Sequence, residues 1–275
     1  MDANILALLG IGALFLLMFL RMPISFAMFV VGFAGVWLFS SSSAAFNLLS
    51  ADLWNQFSSY SFSVIPLFIL MGEIIFRTGV TKNLFGAAYK WIGHLRGGMA
   101  STTILASAGF ACISGSNSAT AATMGTMSLP ELKKYKYNEA LSTGTIATGG
   151  TLGIIIPPST VLIILALQME LSIRDLFIAS IIPGILLTFL LITTIIYLCR
   201  IYPEYGPAGE RSSMKEKLRS LKSVVPVALL FVFVIGGLYL GWFTPTESGA
   251  FGAFGAFVLA FAMRKMTLER FKQAM

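Results

Sequence analysis

Apolar residues run almost unbroken from Ile5 to Leu20, pause at Arg21-Met22-Pro23, and resume as far as Phe39. Two such runs, each near the length that crosses a hydrocarbon core of about 30 Å, predict a pair of membrane helices joined by a tight turn. The period then changes. In "AAFNLLSADLWNQF", Phe46, Leu49, Leu53 and Phe57 recur at helical spacing, while Asn47, Asp52, Asn55 and Gln56 fall on the other side. That pattern predicts a helix lying in the interface, with Trp54 near headgroup level. A third span covers 63–76, and a basic loop with Arg77, Lys82, Lys90 and Arg96 follows.

From Gly97 to Pro130 there is no charge, yet the middle of the segment, "CISGSNSATAATMG", is rich in hydroxyls and glycine. The segment is too long for one span and too short for two. It predicts two half-length helices folded back at Ser114–Ser118, a re-entrant hairpin. The apolar stretch 140–169 is also too long, and is interrupted at Gly149-Gly150 and at Pro157-Pro158. Proline removes a backbone donor and clashes with the preceding turn, so a broken helix is expected. A span over 176–198, a polar loop over 200–222 containing "SSMKEKLRSLKS", and two spans over 224–242 and 246–263 lead to a basic tail.

Composition agrees with this pattern. The 275 residues are 56% hydrophobic and only 11% charged, which leaves too little polar surface for a soluble exterior. The reading is an all-α polytopic membrane protein. The alternating pattern of barrel strands is missing. The net charge of +7 sits mainly in the loops. Placing the basic loops and the tail in the cytoplasm gives a consistent topology with an outward N-terminus, and the first segment reads as a retained helix. No basic face with aromatic platforms points to nucleic acid. Cys112 and Cys199 read as buried thiols, and the lone His94 has no second histidine to form a cluster.

"RMPISFAMFVVGFAGV" and "FTPTESGAFGAFGAFV" each set a proline just after a turn and before a Gly/Ala/Phe-rich span. Their opposite predicted directions are the appearance of an inverted repeat whose second copy is incomplete. Glu73, one turn before Arg77, reads as an interfacial ion pair. Without an ionisable group at the hairpin or the break, the chemistry on offer is hydroxyls, an amide and helix ends. Helix N-termini suit anions and C-termini suit cations, so sodium and a carboxylate could bind side by side. Small residues also serve close packing, the better reading for Ala119–Thr126. Ser114, Ser116, Asn117 and Ser118 read instead as an ion- or water-lined tip, with Gly149, Gly150, Pro157 and Pro158 as its partner. An intramembrane serine enzyme lacks a base. A channel-like subunit and a non-functional fragment are the remaining alternatives.

"GHLRGGMASTTILASAGFACISGSNSATAATMG", "GTLGIIIPPSTVLIILA", "SIRDLFIASIIPGILL" and "GWFTPTESGAF" resemble the large membrane subunit of TRAP (tripartite ATP-independent periplasmic) transporters, as do "LRMPISFAM" and "IPLFILMGEII". The resemblance runs in order along nearly the whole chain. It implies a sodium-driven importer of dicarboxylate or sialic-acid-like organic acids in a bacterial or archaeal inner membrane, with an elevator-type inverted-repeat fold and no cofactor beyond Na+. It implies a small four-helix membrane subunit and a periplasmic binding protein as partners. The expected divisions are 1–62, an opening scaffold pair and interfacial helix; 63–96, the third span and basic loop; 97–137, the hairpin; 138–200, the broken helix and next span; 201–222, a cytoplasmic loop; and 223–275, the start of the second repeat. The resemblance implies sodium contacts from Ser114, Gly115, Ser116, Asn117, Gly149, Gly153 and Pro157, with no transition metal. It implies substrate contacts from Ser116, Asn117, Ser118, Thr151, Pro158 and Ser159. A second hairpin and second broken helix, which the family carries, are not found in this sequence.

Overall fold

The computed structural model describes residues 3–263; the basic tail expected at 264–275 lies outside the described residues. Two compact units divide at Phe62 and Ser63. The first holds α1 (Ala3–Phe19), α2 (Ile24–Phe39) and α3 (Ser42–Ser58). Arg21, with φ 64°, turns the chain between α1 and α2, and Pro23 caps α2 where no backbone donor is needed. The helix expected from the Phe46/Leu53/Phe57 pattern is α3, N-capped by Ser41. Phe33 of α2 meets Phe46 of α3 edge-on at 5.2 Å between ring centroids. Phe19, Leu20, Trp54 and Phe57 stand exposed, as side chains facing lipid do.

The second unit contains α4 (Val64–Arg77), α5 (Val80–Ile92), α6 (Gly98–Ser114), α7 (Asn117–Lys134), α8 (Glu139–Ile155), α9 (Thr160–Gln168), α10 (Ile173–Ile201), α11 (Met214–Leu221), α12 (Val225–Leu240) and α13 (Pro245–Ala262). Among the described residues, Tyr60–Arg77 and Ile173–Ile201 are long and apolar enough to cross a membrane, and up to four such spans exist if bent pairs count as one each. One pair is α8 with α9, bent by 43°.

Three expectations are corrected. The basic segment after residue 77 is largely a helix, α5, which buries Val80, Ala87 and Ala88 on one side and leaves Lys82 exposed on the other. The polar loop 200–222 contains α11, started by a reciprocal capping box of Ser213 and Glu216. The hairpin arms are not half-length. With 17 and 18 residues in α6 and α7, each rises about 26 Å; α6 fills the first arm as far as Ser114, and α7 continues through Pro130 to Lys134.

Two clusters hold this unit together. One joins α4, α10, α12 and α13 through Phe68, Met71, Phe177, Val234 and Ala256. The other lies beneath the hairpin, with Met99, Ile104, Leu132, Leu152 and Ile195. Polar contacts fasten the ends of the hairpin to the loop after α10. Gly97 N–H donates to Gly206 O at 3.0 Å and Asn138 N–H to Tyr205 O at 3.0 Å. The Tyr137 hydroxyl donates to Pro207 O at 2.7 Å and accepts from Met99 N–H at 3.1 Å, one of the otherwise unpaired donors of the first turn of α6. Burial pushes the Tyr137 phenol up to about 12, so it keeps its proton. Tyr137→Phe is expected to lower stability by about 1–3 kcal/mol by orphaning the buried Met99 N–H and removing the tie to the exposed Pro207 carbonyl, read as an earlier thermal unfolding of the purified protein. An unchanged midpoint would refute this role.

Candidate functional site at the hairpin tip

The tip is built by a change of backbone hand. α6 ends at Ser114, and Gly115 takes the left-handed region at φ 57°, returning its N–H to Ala111 O. Ser116 is extended and caps α7, its hydroxyl accepting from Ala119 N–H at 3.4 Å. Thr120 donates to Ser116 O at 2.7 Å, which leaves Ser114 to donate to the Thr120 hydroxyl at 3.0 Å. Thr120 therefore belongs to the tip's hydroxyl network, although the sequence reading assigned it to packing.

The broken helix supplies the opposite wall. Only the Pro157-Pro158 pair interrupts it. α8 runs through Gly149-Gly150 without a break, since glycine keeps its backbone donor and proline does not. Ser159 caps α9, accepting from Leu162 N–H at 3.4 Å. Thr160 then donates twice to Gly115 O, from its N–H at 3.1 Å and its hydroxyl at 3.0 Å. Thr160 was not among the expected site residues, and it ties the hairpin to the break.

Glycines let these backbones approach. A Cβ on Gly115 would stand 2.5 Å from Pro158 O, and one on Gly153 would stand 2.6 Å from Ser116 O. A Cβ on Gly150 would stand 3.0 Å from Asn117 Oδ1. On the other side, a Cβ on Gly72 of α4 would stand 2.5 Å from Ile113 O. The C-terminal ends of α6 and α8 and the N-terminal ends of α7 and α9 thus meet at one place. Carbonyl-rich and N–H-rich ends lie side by side there.

The structure brings Ser114, Gly115, Ser116, Asn117, Gly153 and Pro158 into this junction, with Ser159 buried next to it. Pro157 is buried beside an apolar cavity that reaches Cys112 and Tyr239. Gly149 faces Ser107 of α6, whose buried hydroxyl has no hydrogen-bond partner among the described residues. Ser118 and Thr151 are exposed, on α7 and α8 respectively, and Thr151 returns its hydroxyl to Thr148 O at 2.6 Å. The Asn117 carboxamide is half-buried and makes no hydrogen bond among the described residues, so it is available to a ligand.

The Glu73–Arg77 ion pair forms at 2.6 Å, but it is not at the end of the α4–α5 path. Gly72 touches the tip, and Phe76 meets Phe110 at 5.8 Å between centroids. Leu84 of α5 then reaches Gly109 of α6, so α5 runs back along α6. The pair therefore stands near the depth of the tip. Among the described residues no group of three or more His, Cys, Asp or Glu could hold a metal ion, and both cysteines are free.

The family model for the tripartite ATP-independent periplasmic transporter, DctM component, matches residues 11–275. The chain is 38% identical over 222 residues, 80% of its length, to the C4-dicarboxylate TRAP transporter large permease protein DctM of Pseudomonas aeruginosa, covering 52% of that protein. It is 31% identical to the Rhodobacter capsulatus protein of the same name, over 96% of this chain and 62% of that one. It is 30% identical to the sialic acid TRAP transporter large permease protein SiaM of Vibrio cholerae, over 93% of this chain and 59% of that one. The chain thus spans about half to three-fifths of the length of these relatives.

Proposed function

This chain belongs to the DctM family of tripartite ATP-independent periplasmic transporters, and from that premise we propose that it is the permease part of a sodium-coupled importer of small organic acids. The observation that carries the reading is the junction of four helix ends at Gly115, Ser116, Gly153 and Thr160, built from neutral oxygens and backbone dipoles. Sodium accepts such neutral ligands, and the N-terminal ends of α7 and α9 favour a carboxylate beside it. The relatives named for a C4-dicarboxylate and for sialic acid support an anionic substrate. Ser116 and Asn117 at the tip, with Ser159 on the break, are its nearest donors. Ser118 and Thr151 would contact the substrate from the exposed side of α7 and α8.

In this reading the substrate arrives on a periplasmic binding protein, and a small four-helix membrane subunit braces the permease in an inner membrane. The α1–α2 and α12–α13 pairs act as scaffold, related as inverted repeats, while hairpin and broken helix travel together as an elevator. Their fusion through Thr160 and Gly115 supports movement as one piece.

A second reading is proton coupling, favoured by the nearness of Glu73 to the tip. Its carboxylate is already committed to Arg77 at 2.6 Å, and sodium is the better assignment. Both readings are tested by uptake of a labelled dicarboxylate or sialic acid into proteoliposomes, with the binding protein and small subunit added. Uptake is expected only with an inward sodium gradient. Uptake that follows a proton gradient and ignores sodium would sink the assignment.

A further inference from the structure

We propose that an anionic phospholipid of the leaflet on the basic side of the protein is a bound partner, with one acyl chain inside the second unit and its phosphate on an arginine cluster. The inference rests on the chain being embedded in a membrane and is independent of the transport assignment. A cavity of about 850 Å³ lies between α5, α6, α10 and α12. Its walls are apolar: Leu84, Leu105, Gly109, Ile185, Phe189 and Ile235 are typical. Ile185 and Phe189 are exposed, so the cavity opens to the surrounding medium. Along α10 the lining runs from Ile181 to Ile192. That stretch rises about 16 Å, close to the half-thickness, about 15 Å, of a bilayer's hydrocarbon core.

The same face of α10 continues one turn further to Ile196 and then Arg200, which line a second cavity of about 520 Å³ with His94, Arg96 and Arg211. The lining of α5 likewise passes from Trp91 and Ile92 in the first cavity to His94 in the second. The loops carrying these cations are fixed to each other, since Gly97 N–H donates to Gly206 O at 3.0 Å and Gly209 N–H to Gly93 O at 3.1 Å. Arg96, Arg200 and Arg211 form no ion pair with a carboxylate among the described residues. Glu210, the neighbour of Arg211, lies beside the Tyr89 hydroxyl.

An apolar slot one leaflet deep, opening beside unpaired guanidiniums, matches the two parts of one molecule. An alkyl chain supplies the dispersion contacts that an unfilled apolar slot forfeits, and arginine binds phosphate through forked charge-assisted hydrogen bonds. A zwitterionic lipid would fill the slot but gain less at the rim. The positive-inside rule places this rim at the cytoplasmic leaflet, where anionic lipid is concentrated.

The test uses the purified protein in nanodiscs made from equal parts phosphatidylglycerol and phosphatidylcholine, followed by detergent exchange and mass spectrometry of retained lipid. Phosphatidylglycerol is expected to be retained about tenfold over phosphatidylcholine. Arg96→Gln, Arg200→Gln and Arg211→Gln together are expected to bring that ratio to about one while lipid is still retained. Gly109→Leu, which fills the slot without touching the arginines, is expected to lower retention of both lipids. A wild-type ratio near one, a ratio that the arginine variant leaves unchanged, or no retained lipid because protein fills the slot would each overturn the proposal.

Discussion

Gly115→Ala is expected to be the most damaging single-methyl change at the hairpin tip, costing about 3–5 kcal/mol from left-handed strain, overpacking and weakened bonds to the tip carbonyl. Two separate penalties meet at this position. The backbone stands at φ 57°, and the added Cβ would stand 2.5 Å from the Pro158 carbonyl oxygen. Relief by moving Pro158 would also strain the two bonds from Thr160 to Gly115 O. Gly79 is the control for the first penalty, because it has φ 74° with no atom within 4 Å of the added Cβ. Gly79→Ala should cost only about 1–2 kcal/mol. Gly153→Ala is the control for the second. It is helical, its Cβ would stand 2.6 Å from Ser116 O, and improved helix propensity returns up to about 1 kcal/mol. Thermal or denaturant unfolding of the three purified variants checks the order. Equal losses at Gly115 and Gly79 would show that the tip and the break are not packed as described.

Helices with one uniform apolar character were legible in the sequence, as was the two-faced α3, but the two-faced helices that carry basic residues were not. α1, α2, α4, α12 and α13 fall close to the runs that predicted them. In α5, Lys82 and Lys90 interrupt the apolar run and mask Val80, Leu84, Ala87, Ala88 and Trp91, whose spacing is that of one helix face. α11 was hidden in the same way, although Ser213 and Glu216 have the spacing of a capping box. Glycine and proline were read alike as breakers. The structure separates them by hydrogen bonding, since Gly149 and Gly150 sit inside α8 while Pro157 and Pro158 end it.

At the site, the polar tip was visible as hydroxyls in an uncharged segment, and its partner at the break was visible as a proline pair. Gly72 gave no signal, because the group it touches, Ile113 O, is 41 positions away and any apolar helix can carry a glycine. Thr160 was overlooked for a related reason. Its importance lies in reaching Gly115 across the fold, which no local pattern encodes. The depth of the Glu73–Arg77 pair has no local signature, because it depends on α5 carrying the chain onward along α6.

Asn117→Ala is expected to raise the sodium concentration needed for half-maximal uptake about tenfold, the loss of roughly 1.4 kcal/mol of binding energy. Asn117 opens α7, half-buried, with its Oδ1 close to Gly150 and no hydrogen bond among the described residues. Ser114, Ser116 and Thr120 spend part of their capacity on one another, so the carboxamide is the least committed oxygen at the junction. A neutral oxygen of this kind replaces a hydration water without the desolvation cost of a carboxylate. Because the Asn117 carboxamide makes no hydrogen bond among the described residues, its loss should leave the sodium-free unfolding temperature nearly unchanged. The separating measurement is the rise in unfolding temperature on adding sodium, which follows RT ln(1 + [Na+]/Kd) and shrinks as Kd grows. Ser118→Ala, on the exposed side of the same turn, is expected to preserve that rise. A sodium response of Asn117→Ala equal to the parent's would remove the tip carboxamide from the ion site. A lower sodium-free stability with an unchanged response would make it a packing residue instead.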